Sequence, residues 1–140
     1  MPTVNTVLGP VETSDLGFTL SHEHLGTNAA GIRQTYPEFF DRAGVMEQAK
    51  AALKEAYGEG LRTIIEVSTI DLGRDVQMME EVSRASGVQI VAATGNHLSV
   101  PRPFGDVSPD VLAPLYVREI EGGQPHKSRG GPGLKPGSSK

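Results

Sequence analysis

Two β-branched apolar stretches constrain this chain more than anything else in it. Arg62–Thr69 holds Thr63, Ile64, Ile65 and Val67, and Val88–Thr94 is almost continuously aliphatic. A strand with one wet face alternates apolar with polar residues, so runs like these read as strands buried on both faces. Each follows a helical stretch. The first helix runs from about Ala43 to Gly58, with Val45, Ala49, Ala52, Leu53, Ala56 and Tyr57 on one face, and Gly58 and Gly60 terminate it. The second starts with Asp71 as N-cap and reaches about Ala85. Val76, Met79 and Val82 form its inner stripe, and Gly87 stops it. A third helix opens at Ser108-Pro109 and runs to about Glu121, with Leu112, Leu115, Tyr116 and Ile120 inward. Pro114 disturbs its first turns and can shift its start to Ala113.

Ahead of these elements lie two short strands, Thr3–Leu8 and Val11–Ser14, with Gly9-Pro10 as their turn. A strand-like run, Phe18–His24, comes next. A loop follows, marked by Asn28, Gly31 and Tyr36-Pro37. The order is therefore a hairpin and then βαβαβα, an α/β pattern with parallel strands. Three parallel strands with helices on one side leave the other face bare. Either the sheet continues in a partner, or it belongs to a larger (β/α)8 barrel. A whole barrel needs at least about 200 residues. This chain has 140 and supplies roughly three of the eight units.

Charge divides the chain. Residues 1–121 hold all 17 acidic residues and nine of the 13 basic ones, whereas residues 122–140 hold four basic residues and no acid. An acidic body argues against nucleic-acid binding, which needs a basic face. The Gly/Pro/Ser-rich stretch 122–140 has one large apolar residue, Leu134, and is expected to be disordered. Its abrupt change of composition reads as a truncated or frame-altered tail. No run of about 18 apolar residues is available to span a membrane, and the first residues carry no secretory signal. The expected setting is cytoplasmic. With no cysteine, a disulfide framework, a thiolate nucleophile and a Cys-based metal site are excluded. There is no Gly-x-Ser-x-Gly elbow and no phosphate-binding loop.

The chemistry lies in Gly17-Phe18-Thr19-Leu20-Ser21-His22-Glu23-His24. Residues two apart on a strand face the same way, so His22 and His24 bring their imidazoles together. Two such rings can hold one divalent ion when other elements complete the shell. The same spacing also suits two unrelated histidines in a loop or a core. The metal reading is stronger at the C-terminal end of a barrel strand, where the active sites of such barrels are built.

This segment resembles the signature of the phosphotriesterase family of the amidohydrolase superfamily. Leu8-Gly9-Pro10-Val11, Tyr36-Pro37-Glu38, Arg62–Thr69, Leu72–Val76, Glu81–Ala85, Ile90–Gly95 and Arg118–Glu121 follow in family order, so the resemblance covers residues 3 to 121. It implies a TIM barrel with two bridged divalent ions, usually zinc. Its reaction class is hydrolysis of phosphotriester, lactone or related ester bonds by a metal-activated hydroxide. It makes His22 and His24 ligands of the more buried ion, and Asn96 and His97 substrate-pocket residues. His97 departs from the family's aromatic pattern and suggests a more polar pocket.

The resemblance also places a carboxylated lysine, two further histidines and an aspartate on later strands, and these have no counterpart here. At most one partial metal site is therefore expected. The alternative expectation is a catalytically inactive fragment that binds metal weakly or acts only by association, through the exposed edge of its third strand. Lys127, Lys135 and His126 read as solvated tail residues. Glu66, inside an apolar strand, reads as a hydrogen-bonded or ion-paired structural carboxylate. Arg74 and Asp75 read as a local ion pair or cap, and Met78 and Met79 as packing.

Overall fold

The computed structural model describes residues 1–98 and 100–122. A hairpin of β1 (Thr3–Thr6) and β2 (Gly9–Glu12) comes first. It is followed by β3 (Phe18–Glu23), a single helical turn α1 (Ile32–Thr35) and α2 (Arg42–Gly58). Then come β4 (Leu61–Glu66), α3 (Val76–Ser86), β5 (Gln89–Ala92) and α4 (Pro109–Gly122). The strands β3, β4 and β5 form one parallel sheet in that order, joined through α2 and α3. This is the α/β architecture expected for part of a (β/α)8 barrel. The expectation for the tail falls mostly on residues 123–140, outside the described residues.

The core lies between the sheet and α3. Leu61, Ile64, Met78, Met79, Val82, Val88 and Ile90 are buried there, and Val45, Met46, Ala49, Leu53 and Ala56 of α2 pack against them from the side. Met78 and Met79 are packing residues, as read from the sequence. Among the described residues no helix is long and apolar enough to cross a membrane.

Several local readings are corrected. The hairpin turns at Val7-Leu8, and Pro10 sits inside β2 opposite Asn5. The loop after β3 contains α1 and a 3-10 turn at Pro37–Phe39. The second long helix starts at Val76, not after Asp71. Its N-cap is Asp75, whose side chain accepts from the Met78 N–H, while Asp71 lies in a 3-10 turn, Ile70–Leu72. That turn closes on Gly73 at φ +74°, and a Cβ there would come within 2.8 Å of the Asn28 carbonyl oxygen. Residues 70–75 therefore serve as a docking surface for the loop after β3, which helical periodicity does not encode. The last helix begins at Pro109 and carries Pro114 without slipping to Ala113, but Ile120 faces out at 61% exposure.

The hairpin reaches the outer side of β5, where the Val7 N–H donates to the Ile90 carbonyl. On β3 the described pairing is to β4 alone. The more open edge of the sheet is therefore β3 rather than the third parallel strand.

Candidate metal centre

The strand register brings the motif to one edge. Glu23 lies level with Glu66, and Glu66 with Ala92, so the three parallel strands end together. Beyond that line the Val67 N–H donates to the Glu23 carbonyl and the Ala93 N–H to the Glu66 carbonyl, both at 2.9 Å. The segments leaving the three strands thus share the C-terminal edge of the sheet. Between Leu20 and Glu23 the pairing with β4 is irregular: three steps along β3 match two along β4. A bulge of this kind re-aims side chains, and bulges are frequent beside active sites. It falls on Ser21 and His22, and simple alternation did not foresee it.

The ring of His22, in the bulge, and that of His24, just past it, meet edge to face, with centroids 5.5 Å apart and planes at 76°. Both residues are exposed at the strand end. His24 is held from behind. Its Nδ1 lies 2.9 Å from the Ser68 hydroxyl, and that hydroxyl lies 2.6 Å from Glu66 Oε1. Glu66 is 1% exposed, accepts the Leu25 N–H on Oε1 and accepts the Ser68 N–H on Oε2. It is a hydrogen-bonded buried carboxylate, as read from the sequence, and it ties the end of β3 to the turn after β4. Ser68 was missed at the sequence level. The available signal was its position two residues beyond a carboxylate buried in an apolar strand.

Three further side chains stitch the loops along this edge. Asp71 accepts the His97 N–H with both carboxylate oxygens, and a hydrogen bond from the Thr69 hydroxyl holds its carboxyl below the ordinary range. Asp75 receives Arg33 at 2.6 Å and Arg42 at 2.7 Å. Arg74 does not pair with its neighbour Asp75. It forks onto Glu119 of α4 and donates to the Ala93 carbonyl. The loop after β3 also docks by backbone, through Asn28 N–H to Leu72 O and Ala30 N–H to Asp71 O.

The two remaining sequence candidates occupy the loop after β5. Asn96 is half-buried and its Oδ1 accepts from the Tyr116 hydroxyl at 3.3 Å, while His97 is exposed. Neither is joined to His22 or His24 by a described hydrogen bond or ring contact. Among the described residues, no three His, Cys, Asp or Glu side chains cluster as a metal shell.

The donor chemistry of the edge suits a divalent ion. Two imidazoles are adjacent, and one is backed by a hydroxyl that is itself bonded to a buried carboxylate, an outer support of the kind that orients metal-binding histidines.

Comparison with known proteins bears on the whole described fold. The profile of the phosphotriesterase family matches residues 2–130. The chain is 35% identical over 115 residues to an aryldialkylphosphatase of Saccharolobus solfataricus, covering 81% of this chain and 37% of that protein. It is 36% identical over 133 residues to a phosphotriesterase homology protein of Mycobacterium tuberculosis, covering 88% of this chain and 41% of the other. It is also 31% identical over 147 residues to a phospho-furanose lactonase of Mycoplasmopsis agalactiae, covering 98% and 40% respectively. The chain spans less than half the length of these relatives.

Proposed function

The chain belongs to the phosphotriesterase family, and on that premise we propose that it carries the first metal-binding element of a hydrolase acting on phosphotriester, lactone or related ester bonds. His22 and His24 supply two nitrogens to a divalent ion, zinc by preference, in a site this chain fills only in part. The observation that carries the reading is the edge-to-face His22–His24 pair, held at the shared C-terminal edge of three parallel strands. A divalent ion, when bound, contributes a polarising charge and a nucleophile available near neutral pH. The chain's own residues orient and enclose. Ser68 and Glu66 fix His24, while Asp71, Arg74 and Asp75 hold the loops above the strand ends. Asn96 and His97 stand in the loop after β5 as substrate contacts.

A zinc titration followed by thermal melting tests this. A ligand bound only by the folded state stabilises it by mass action. Zinc is expected to raise the melting temperature of the wild type slightly and to leave His22→Ala/His24→Ala unmoved. His97→Ala is expected to weaken the zinc effect less than either single motif substitution. An unshifted wild type overturns the metal reading. Equal loss in all three single variants overturns the substrate-side role of His97.

A second reading is favoured by one observation, the exposed apolar flank of β3, where Phe18 is 66% and Leu20 37% exposed. In it the chain acts through association and hydrolyses nothing by itself. Turnover of a phosphotriester and a lactone by the zinc-loaded chain separates the two readings.

A further inference from the structure

We propose that Ser68 is a positioning residue that locks His24 in its Nδ1–H tautomer, with Glu66 directing the lock. The inference deepens the metal reading above and rests on it for its purpose. Its geometry is independent of any ion.

The argument is a proton count. A hydroxyl has one proton to donate and two lone pairs to accept with, whereas a carboxylate only accepts. Ser68 Oγ lies 2.6 Å from Glu66 Oε1, the shorter of its two side-chain contacts. That distance is typical of a hydroxyl donating to a charged oxygen. Two backbone N–H groups, from Leu25 and Ser68, also donate to this carboxylate, so every described contact of Glu66 uses its oxygens as acceptors. The single hydroxyl proton therefore points to Glu66. Toward His24 Nδ1, at 2.9 Å, Ser68 can only accept. Neutral imidazole carries one N–H, so His24 must carry it on Nδ1, which leaves Nε2 with an open lone pair. That is the nitrogen a divalent cation would take.

Both supporting groups are buried. Ser68 and Glu66 are each 1% exposed, and the Ser68 N–H is tied to Glu66 Oε2 at 3.0 Å. Water therefore has little access to compete for the Ser68 hydroxyl. His22 has no described partner of this kind, so the two motif histidines differ: one is set before a metal arrives and the other is not.

Nitrogen-15 NMR of the imidazoles in the metal-free chain, at mildly alkaline pH, reads the tautomer directly. His24 is assigned by the signals lost in His24→Gln. The expected result is protonated Nδ1 and unprotonated Nε2 at His24 in the wild type. In Ser68→Ala, His24 should shift toward the Nε2–H form favoured by free imidazole, with the His22 signals unchanged. Zinc affinity of Ser68→Ala should fall about 10- to 100-fold, the usual effect of removing an outer partner of a metal-binding histidine. A wild-type His24 found as the Nε2–H tautomer overturns the proposal without any variant having to fold. So does a Ser68→Ala chain that keeps the wild-type tautomer. A wild type that shows the expected tautomer but takes up no zinc defeats the metal reading and leaves the lock standing.

Discussion

The helices α2 and α3 cover neighbouring parts of the same sheet, yet they are packed very differently. The longer one, α2, has 17 residues and none is fully buried, whereas α3 has 11 and buries Met78, Met79, Glu80, Val82, Ser83 and Ser86. The reason is position rather than composition. The strands on either side of α3, β4 and β5, are both backed, and α2 lies against its flank. Between α2 and β3 runs a groove of about 340 Å³, bordered mainly by Leu20, Leu25, Val45, Ala49 and Leu53. A second hollow continues it past Phe18, Ala52 and Leu61. An apolar stripe reports which face of a helix seeks cover, not whether cover is present. The β4–α3–β5 unit is closed on itself, and β3–α2 is closed on one side only.

That contrast is open to measurement by equal truncations on the two helices. Met79 is 1% exposed, and its replacement by alanine should cost about 2–5 kcal/mol in a urea denaturation, as buried large-to-small changes do. Leu53→Ala, on the half-covered face of α2, should cost about 1 kcal/mol, since its side chain already borders open space. Comparable losses at the two positions would mean that the groove beside α2 is filled in solution, and the contrast would collapse.

The next effect in size concerns the joint between the two units. Asp75 caps α3, yet its ionic partners come from the other half: Arg33 on α1 and Arg42 at the start of α2. Burial pushes the Asp75 carboxyl up, but the hydrogen bonds from Arg42 and the Met78 N–H and the two guanidinium charges outweigh it, and the group sits below its ordinary value. A carboxylate depressed in the folded state stabilises it above the unfolded-state value and loses that contribution as pH falls through the folded-state value. Asp75→Asn keeps the size and a capping oxygen but removes the charge, taking the carboxylate from Arg33 and leaving Arg42 with Glu81 at 3.7 Å. We expect a loss of about 2 kcal/mol at neutral pH. The gap between wild type and variant should narrow in acid. A gap of constant size down to strongly acidic pH would show that the carboxylate's charge does not join the units.

Legibility followed the same division. Long apolar or periodic stretches, Arg62–Thr69 and Val88–Thr94 above all, announced β4 and β5, and Gly58 and Gly87 marked helix ends close to where they fall. What escaped were contacts between distant segments. Arg74 beside Asp75 looked like a local pair, but Arg74 reaches Glu119, 45 residues away, and Asp75 reaches Arg33 and Arg42. Asp71 looked like a helix cap because Asp commonly caps helices, but a 3-10 turn and Gly73 take that place. At the candidate site, the two histidines were visible in the motif itself. The bulge beneath them and the Ser68–Glu66 support were not, because a register slip and a hydroxyl's partner are decided by the neighbouring strand.

The smallest expected change in folding stability is at the rim of the open unit, and it tests what that openness is for. Phe18 stands at the start of β3, opposite Leu61, with 66% of its surface exposed. An exposed side chain contributes little burial, and surface substitutions usually stay within about 0.5 kcal/mol. Phe18→Ser should therefore leave the urea midpoint almost unchanged. Its effect should appear in association instead. An edge strand offers unpaired N–H and C=O groups, and an apolar ring beside it adds area that a second chain can cover. Sedimentation of the wild type over a range of concentrations is expected to show self-association that Phe18→Ser weakens. Lysine at Leu20, which is 37% exposed on the same strand, should weaken it further by placing charge against the groove. Association that survives both changes would have to use another surface, and the contrast between the open and closed units would then concern packing alone.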